Sequence, residues 1–150
     1  MRRIVIILFS IIGLVSIDFL SKQYIQNIFL NWTHEYFPIF GEYIGINLSY
    51  NSGIAFSLPI TGIPLQIITI VLVLVLYIYY FFIEYPKNIR LLDIWYSLIL
   101  SWALSHTYER VFIGHVIDFI SVKYFAILNF ADIFISIGAC FILFVYYVRK

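Results

Sequence analysis

The chain has 150 residues, 63% of them hydrophobic and 21% aromatic, with only 11% charged and a mean hydropathy of +1.00. A soluble domain carries about a quarter charged residues, so the composition excludes a disordered chain and argues against a water-soluble globule. A net charge of +1 leaves no basic excess for nucleic acid. What remains is an all-α integral membrane protein, one membrane domain over 1–150, because four spans of about 20 residues fill more than half of this length. The lone Cys140 sits in an apolar run, permits no internal disulfide, and reads as a small buried hydrophobe.

In chain order, residues 4–20 form the first expected span, behind Arg2-Arg3 and closed by Asp18 and Lys22. It reads as a retained helix rather than a cleaved leader, since no small-x-small site precedes a polar region. Asp18 and Lys22 are four apart with the acid first, which predicts an ion pair near the outer boundary. Residues 45–56 alternate weakly between turn residues and predict a short strand or extended loop. Residues 63–83 are uncharged and the clearest span. Residues 91–108 carry Asp93 at one end, close to Lys87 and Arg90, where a boundary position explains it. Residues 127–148 carry Asp132.

Arg2, Arg3, Lys87, Arg90, Arg149 and Lys150 fall on one side of such a bundle, and Lys22, Arg110 and Lys123 on the other. The positive-inside rule then puts both termini in the cytoplasm and the working face outside.

A charge at the centre of a membrane helix costs about 2.5–3.5 kcal/mol, so acids within spans ask for a reason. Asp132 lies a few residues into the fourth span, with Asn129 three positions earlier on the same helical face. Asp118 lies just before that span, flanked by apolar residues on both sides. The mostly apolar segment between them is expected to be re-entrant, folding back at the membrane surface and bringing the carboxylates together. Two carboxylates in one site cannot both ionise cheaply, so one keeps a proton. An ionised member can then activate water while a protonated one polarises a carbonyl. Spacing alone leaves open that the two are separately satisfied polar residues.

At these residues the sequence resembles the lipoprotein signal peptidase (signal peptidase II) family, from the first helix to the fourth. Asp18-Phe-Leu-Ser-Lys22 resembles the family's Asp-Gln-x-Ser/Thr-Lys motif, with Phe19 in place of Gln. Asn51-Ser52-Gly53-Ile54-Ala55-Phe56 is similar to its Asn-x-Gly-Ala-Ala-Phe motif. Val116-Ile117-Asp118-Phe119 and Asn129-Phe130-Ala131-Asp132 resemble the segments that hold the family's two catalytic aspartates.

The resemblance implies four transmembrane helices with a small outer β-rich platform. It also implies an aspartyl endopeptidase that cuts diacylglyceryl-modified prolipoproteins just before the lipid-bearing cysteine, without cofactor or metal. Asp118 and Asp132 would be catalytic. Asn51, Gly53 and Asn129 would be polar or backbone neighbours of the substrate, and Arg110, Asp18 and Lys22 would support the site. One departure stands out. Where the family has glycines, Asn and Asp-Arg at the outer end of the third helix, this chain has Ser101, Ser105, His106 and Glu109-Arg110. Ser97, Ser101 and Ser105 still form a stripe that permits close helix packing. His106 titrates where Asn does not.

Other classes fit less well. His34, His106 and His115 with Glu35, Glu109 and Asp118 make no recognised ligand spacing, so no metal is expected. Ser21 and Lys22 are adjacent and face different sides of a helix, a poor serine–lysine pair. A proton-coupled transporter would show repeats and mid-membrane breaks. A non-catalytic or altered-specificity relative acting as a membrane scaffold is the alternative that the third-helix departure leaves open.

Overall fold

The computed structural model describes residues 2–31, 35–53 and 60–148. Among these, four helices carry a four-stranded antiparallel sheet at one end. Helix α1 spans Arg2–Leu30, α2 Gly62–Tyr79, α3 Arg90–Tyr108 and α4 Phe130–Val148. The strands are β1 (Phe37–Phe40), β2 (Ile44–Asn51), β3 (Val116–Val122) and β4 (Ala126–Leu128), in the order β1-β2-β3-β4.

α1 runs ten residues beyond the expected first span. Nothing in Ser21–Leu30 breaks a helix, and a charged pair inside a helix does not end it. At 1.5 Å per residue its 29 residues extend about 43 Å, well past a bilayer core of about 30 Å. Its buried positions, Ile7, Ile11, Asp18 and Lys22, recur at four, seven and four, so one narrow stripe meets the bundle. Most of the rest of its surface is apolar, and it is exposed or half-buried.

α2 continues through a π turn at Tyr80–Glu84 and a 3₁₀ turn at Tyr85–Lys87 before Asn88 reverses the chain with φ 57°. α3 is the most enclosed helix. Leu92, Tyr96 and Leu100 pack with Ile7, Ile11, Tyr80, Ile142 and Val145 in one core. Ser97 and Ser101 return their hydroxyls to carbonyls of their own helix, which leaves a smooth buried face. α4 crosses α3 closely at Gly138, where an added Cβ would lie 2.8 Å from the Trp95 carbonyl oxygen. Beside it the Trp95 and Phe141 rings stack at 4.1 Å. Cys140 is exposed rather than buried, because it faces away from that crossing.

At the end opposite the sheet, Asp93 does not use Lys87 or Arg90. Arg3 grips both its oxygens at 2.6 and 2.7 Å, and the Tyr80 hydroxyl donates to it at 2.8 Å. The planar fork of arginine matches a carboxylate where a lysine offers only a point charge. Lys87 pairs with Glu84 instead.

Of the described helices, three are long and apolar enough to cross a membrane: Arg2–Leu30, Gly62–Lys87 and Phe130–Val148. α3 carries Arg90, Asp93, three serines and His106. The stretch between Asp118 and Asp132 is not re-entrant. Its β-branched run, Val116 to Val122, pairs along β2 and turns back at Tyr124 into β4. The strand expected within 45–56 is β2, and Ile54–Phe56 lie outside the described residues.

Candidate active site

Asp118 is the third residue of β3, opposite Ser49 of β2, and points inward from the sheet with 4% exposure. Its pairing register follows an irregularity between Ile46 and Ser49, where β2 bends under the helix ends. Asn51 ends β2 and donates from Nδ2 to Asp118 at 3.1 Å, while its own Oδ1 accepts the Gly53 N–H at 3.1 Å.

Asp132 lies in the first turn of α4 rather than deeper in a span. Asn129 is not on the helix with it but caps the helix. The Asn129 Oδ1 accepts the Asp132 N–H at 3.0 Å, and Asp132 Oδ2 accepts the Asn129 N–H at 3.1 Å. This reciprocal arrangement is a capping box built from Asn and Asp, and it satisfies two orphan helix-end donors. Asn129, fully buried, also donates its Nδ2 to Asp118 at 2.6 Å. One residue therefore holds both carboxylates. The remaining oxygen of Asp132 accepts from Trp102 Nε1 at 3.2 Å and His106 Nε2 at 3.3 Å, both from α3.

Burial, together with the charge of Asp132, pushes the Asp118 carboxyl above the usual carboxylate range; the Asn51 and Asn129 donors pull the other way. Asp118 is thereby suited to hold a proton.

Behind the pair lies a buried ionic chain. Asp18 accepts from Lys22 at 2.6 Å, from the Ser105 hydroxyl, and from the Ala131 N–H at 3.0 Å. Lys22 also donates to Glu109 at 2.6 Å, whose other oxygen accepts the Ile117 N–H at 3.3 Å. Ala131 precedes Asp132 and Ile117 precedes Asp118. The acid–base–acid chain thus pins the peptide immediately before each aspartate. The ion pair expected between Asp18 and Lys22 is present and buried among the helices. Glu109 completes it, and its carboxylate at the end of α3 was the signal in the sequence. Trp102, one turn before His106, carried no such signal.

The pair opens onto a cavity of about 970 Å³ between α2, α3, α4 and the sheet. Asn51, Gly53, His106 and Arg110 reach it from the polar side, while Ile68, Leu72 and Ile135 form an apolar wall. Arg110 has a buried Nη1 without a partner among the described residues, and its peptide is fixed by Gln66, which donates to the Arg110 carbonyl at 2.9 Å. Asp18 and Lys22 do not reach the cavity. No group of three metal-ligating side chains occurs among the described residues; His34 lies outside them, and His115 packs edge-on to Tyr50.

The sequence of the family described as Signal peptidase (SPase) II matches residues 10–148. A lipoprotein signal peptidase of Pseudomonas syringae pv. tomato is 31% identical over 140 residues, spanning 84% of this chain and 76% of that protein. One from Clostridium novyi is 30% identical over 141 residues, spanning 91% and 90%. In fold, a bacterial membrane enzyme structure obtained by the in meso method at 2.3 Å resolution is similar, with a TM-score of 0.79 at 24% identity. That match covers 94% of this chain and 87% of the other. Matches of this extent, over the helices and strands that carry the site, establish that the chain belongs to the signal peptidase II family.

Proposed function

We propose that this protein is an intramembrane aspartyl endopeptidase that removes the signal peptide from diacylglyceryl-modified prolipoproteins. The observation that carries the reading is Asn129, which binds the carboxylates of Asp118 and Asp132 at once on the wall of an open cavity. Asp132, with three donors on its oxygens, is the ionised member, and buried Asp118 holds the proton. Asp132 takes a proton from water as the water oxygen attacks the scissile carbonyl carbon, and Asp118 donates to the carbonyl oxygen. The tetrahedral intermediate collapses as the proton on Asp132 passes to the leaving amine and one of its two hydroxyls returns a proton to Asp118. Arg110 and Asn51 orient substrate carbonyls, Gly53 lets the substrate backbone approach, and the α2 wall receives apolar chains. The reading asks for no cofactor and no metal.

In this reading α3 is the fourth transmembrane span. Its polar residues are turned into the bundle and the other helices shield it, so it needs little lipid-facing apolar surface. The six basic residues at 2, 3, 87, 90, 149 and 150 then mark the cytoplasmic side of the bacterial inner membrane, and the sheet and cavity face outward. Packing of Arg3 against Tyr85 and Asn88, at the end away from Asp118, supports that sorting.

The test is a gel-shift assay on the full chain in detergent, with a diacylglyceryl-modified prolipoprotein as substrate. Asp118→Asn and Asp132→Asn each lower cleavage by at least about a hundredfold while the protein still inserts. Normal cleavage by either variant overturns the dyad. Absence of cleavage by well-folded wild type favours the scaffold reading.

A further inference from the structure

His106 is the one side chain on Asp132 whose hydrogen bonding depends on its own protonation. Trp102 and the Asn129 peptide always donate; an imidazole nitrogen donates only when it carries hydrogen. Nε2 lies 3.3 Å from Asp132 Oδ1, so the hydrogen belongs there. Nδ1 is buried without a partner among the described residues, a tolerable place for a bare lone pair and a poor one for an N–H. The contacts thus select the neutral tautomer with its hydrogen on Nε2.

We propose that His106 is a titrating positioning residue of the catalytic centre, which steers Asp132 as a neutral imidazole and silences it as an imidazolium. The inference rests on the dyad reading above. In the working state there is one proton on Asp118, none on Asp132 and one on His106 Nε2. A further proton, which only Nδ1 is free to take, turns the neutral hydrogen bond into an ion pair. The Asp132 charge is then tied to its neighbour and no longer free to accept a proton from water. His106 faces Asp132 from α4 and Asp118 from β3. Glu109 and Arg110 face it from the turn after α3, with Lys22 and Asp18 of α1 behind Glu109. α2 offers the cavity only uncharged residues such as Leu65 and Thr69.

An asparagine at this position carries an amide donor and cannot titrate. The experiment pairs cleavage rates across pH for wild type, His106→Asn and His106→Leu with nitrogen-15 NMR of histidine-labelled full-length wild type. The expected result has three parts. Wild type shows an acid limb in kcat that moves at least one pH unit lower in His106→Asn. His106→Leu lowers plateau kcat at least tenfold with KM within about threefold. The NMR signal lost in His106→Asn shows hydrogen on Nε2 alone at plateau pH and gains Nδ1–H over the range where cleavage falls. Coincident pH profiles of wild type and His106→Asn overturn the inference, as does a resting Nδ1–H tautomer. Cleavage by Asp118→Asn would overturn the dyad instead, and the tautomer is read without any turnover.

Discussion

At the scale of single residues, Asn51 and Asn129 do opposite work to burial. Burial raises Asp118, and each amide donor favours its ionised form. Removing Asn51 therefore moves Asp118 further up. If the protonated acid is the working form, activity is lost as pH rises through its raised value, so Asn51→Ala shifts the alkaline limb of the rate profile to higher pH. A pH–rate series on both proteins reads that shift, and an unmoved or lowered limb contradicts the assignment. The same residues show what sequence supplied. Asp118, Asp132 and Asn129 were legible from apolar flanks and motif spacing. That Asn129 caps a helix and bridges both acids was not, because period and spacing say nothing about where a helix begins to within a residue or two.

At the scale of elements, the α3–α4 crossing depends on one glycine. A methyl at Gly138 meets the Trp95 carbonyl oxygen at 2.8 Å and the Ile99 side chain at 3.0 Å, and a backbone oxygen cannot swing aside. Alanine gains up to about 1 kcal/mol of helix propensity over glycine. Overpacking costs about 1–3 kcal/mol and wins. Gly138→Ala accordingly lowers the melting temperature in detergent, while Gly13→Ala on α1, with nothing within 4 Å, does not. The four helices themselves were readable because long apolar runs have few alternatives. The overlong α1 and the β3–β4 hairpin were harder to read. A helix continues past a charged pair whenever another helix supplies a counter-ion, and a short apolar run is strand or buried turn according to its neighbour. Here β2 is that neighbour.

Across the whole molecule, two ion clusters fasten opposite ends. Arg3–Asp93–Tyr80 ties α1 to α3 and the π turn, and Asp18–Lys22–Glu109 ties α1 to α3, α4 and β3. The second is buried throughout, so its stability depends on balance rather than on attraction alone. Lys22→Met leaves two buried carboxylates facing each other and costs about 3–5 kcal/mol. Adding Glu109→Gln removes one stranded charge and recovers part of that loss. Chemical denaturation in detergent distinguishes this from simple cavity formation, in which the second change recovers nothing. The long-range partners, Lys22 with Glu109 and Asp18 with Ala131, were beyond a sequence reading because only the folded bundle brings them together.

The bond between Asp18 and the Ala131 amide joins positions 113 residues apart, so α1 and α4 must both be in place before this support exists. In the proposed dyad, a nascent chain that has reached α3 carries Asp18 and Lys22 but neither Asp118 nor Asp132, and has no pair of acids with which to attack a peptide. On that reading hydrolytic capacity arises only when α4 docks and its amide seats on Asp18.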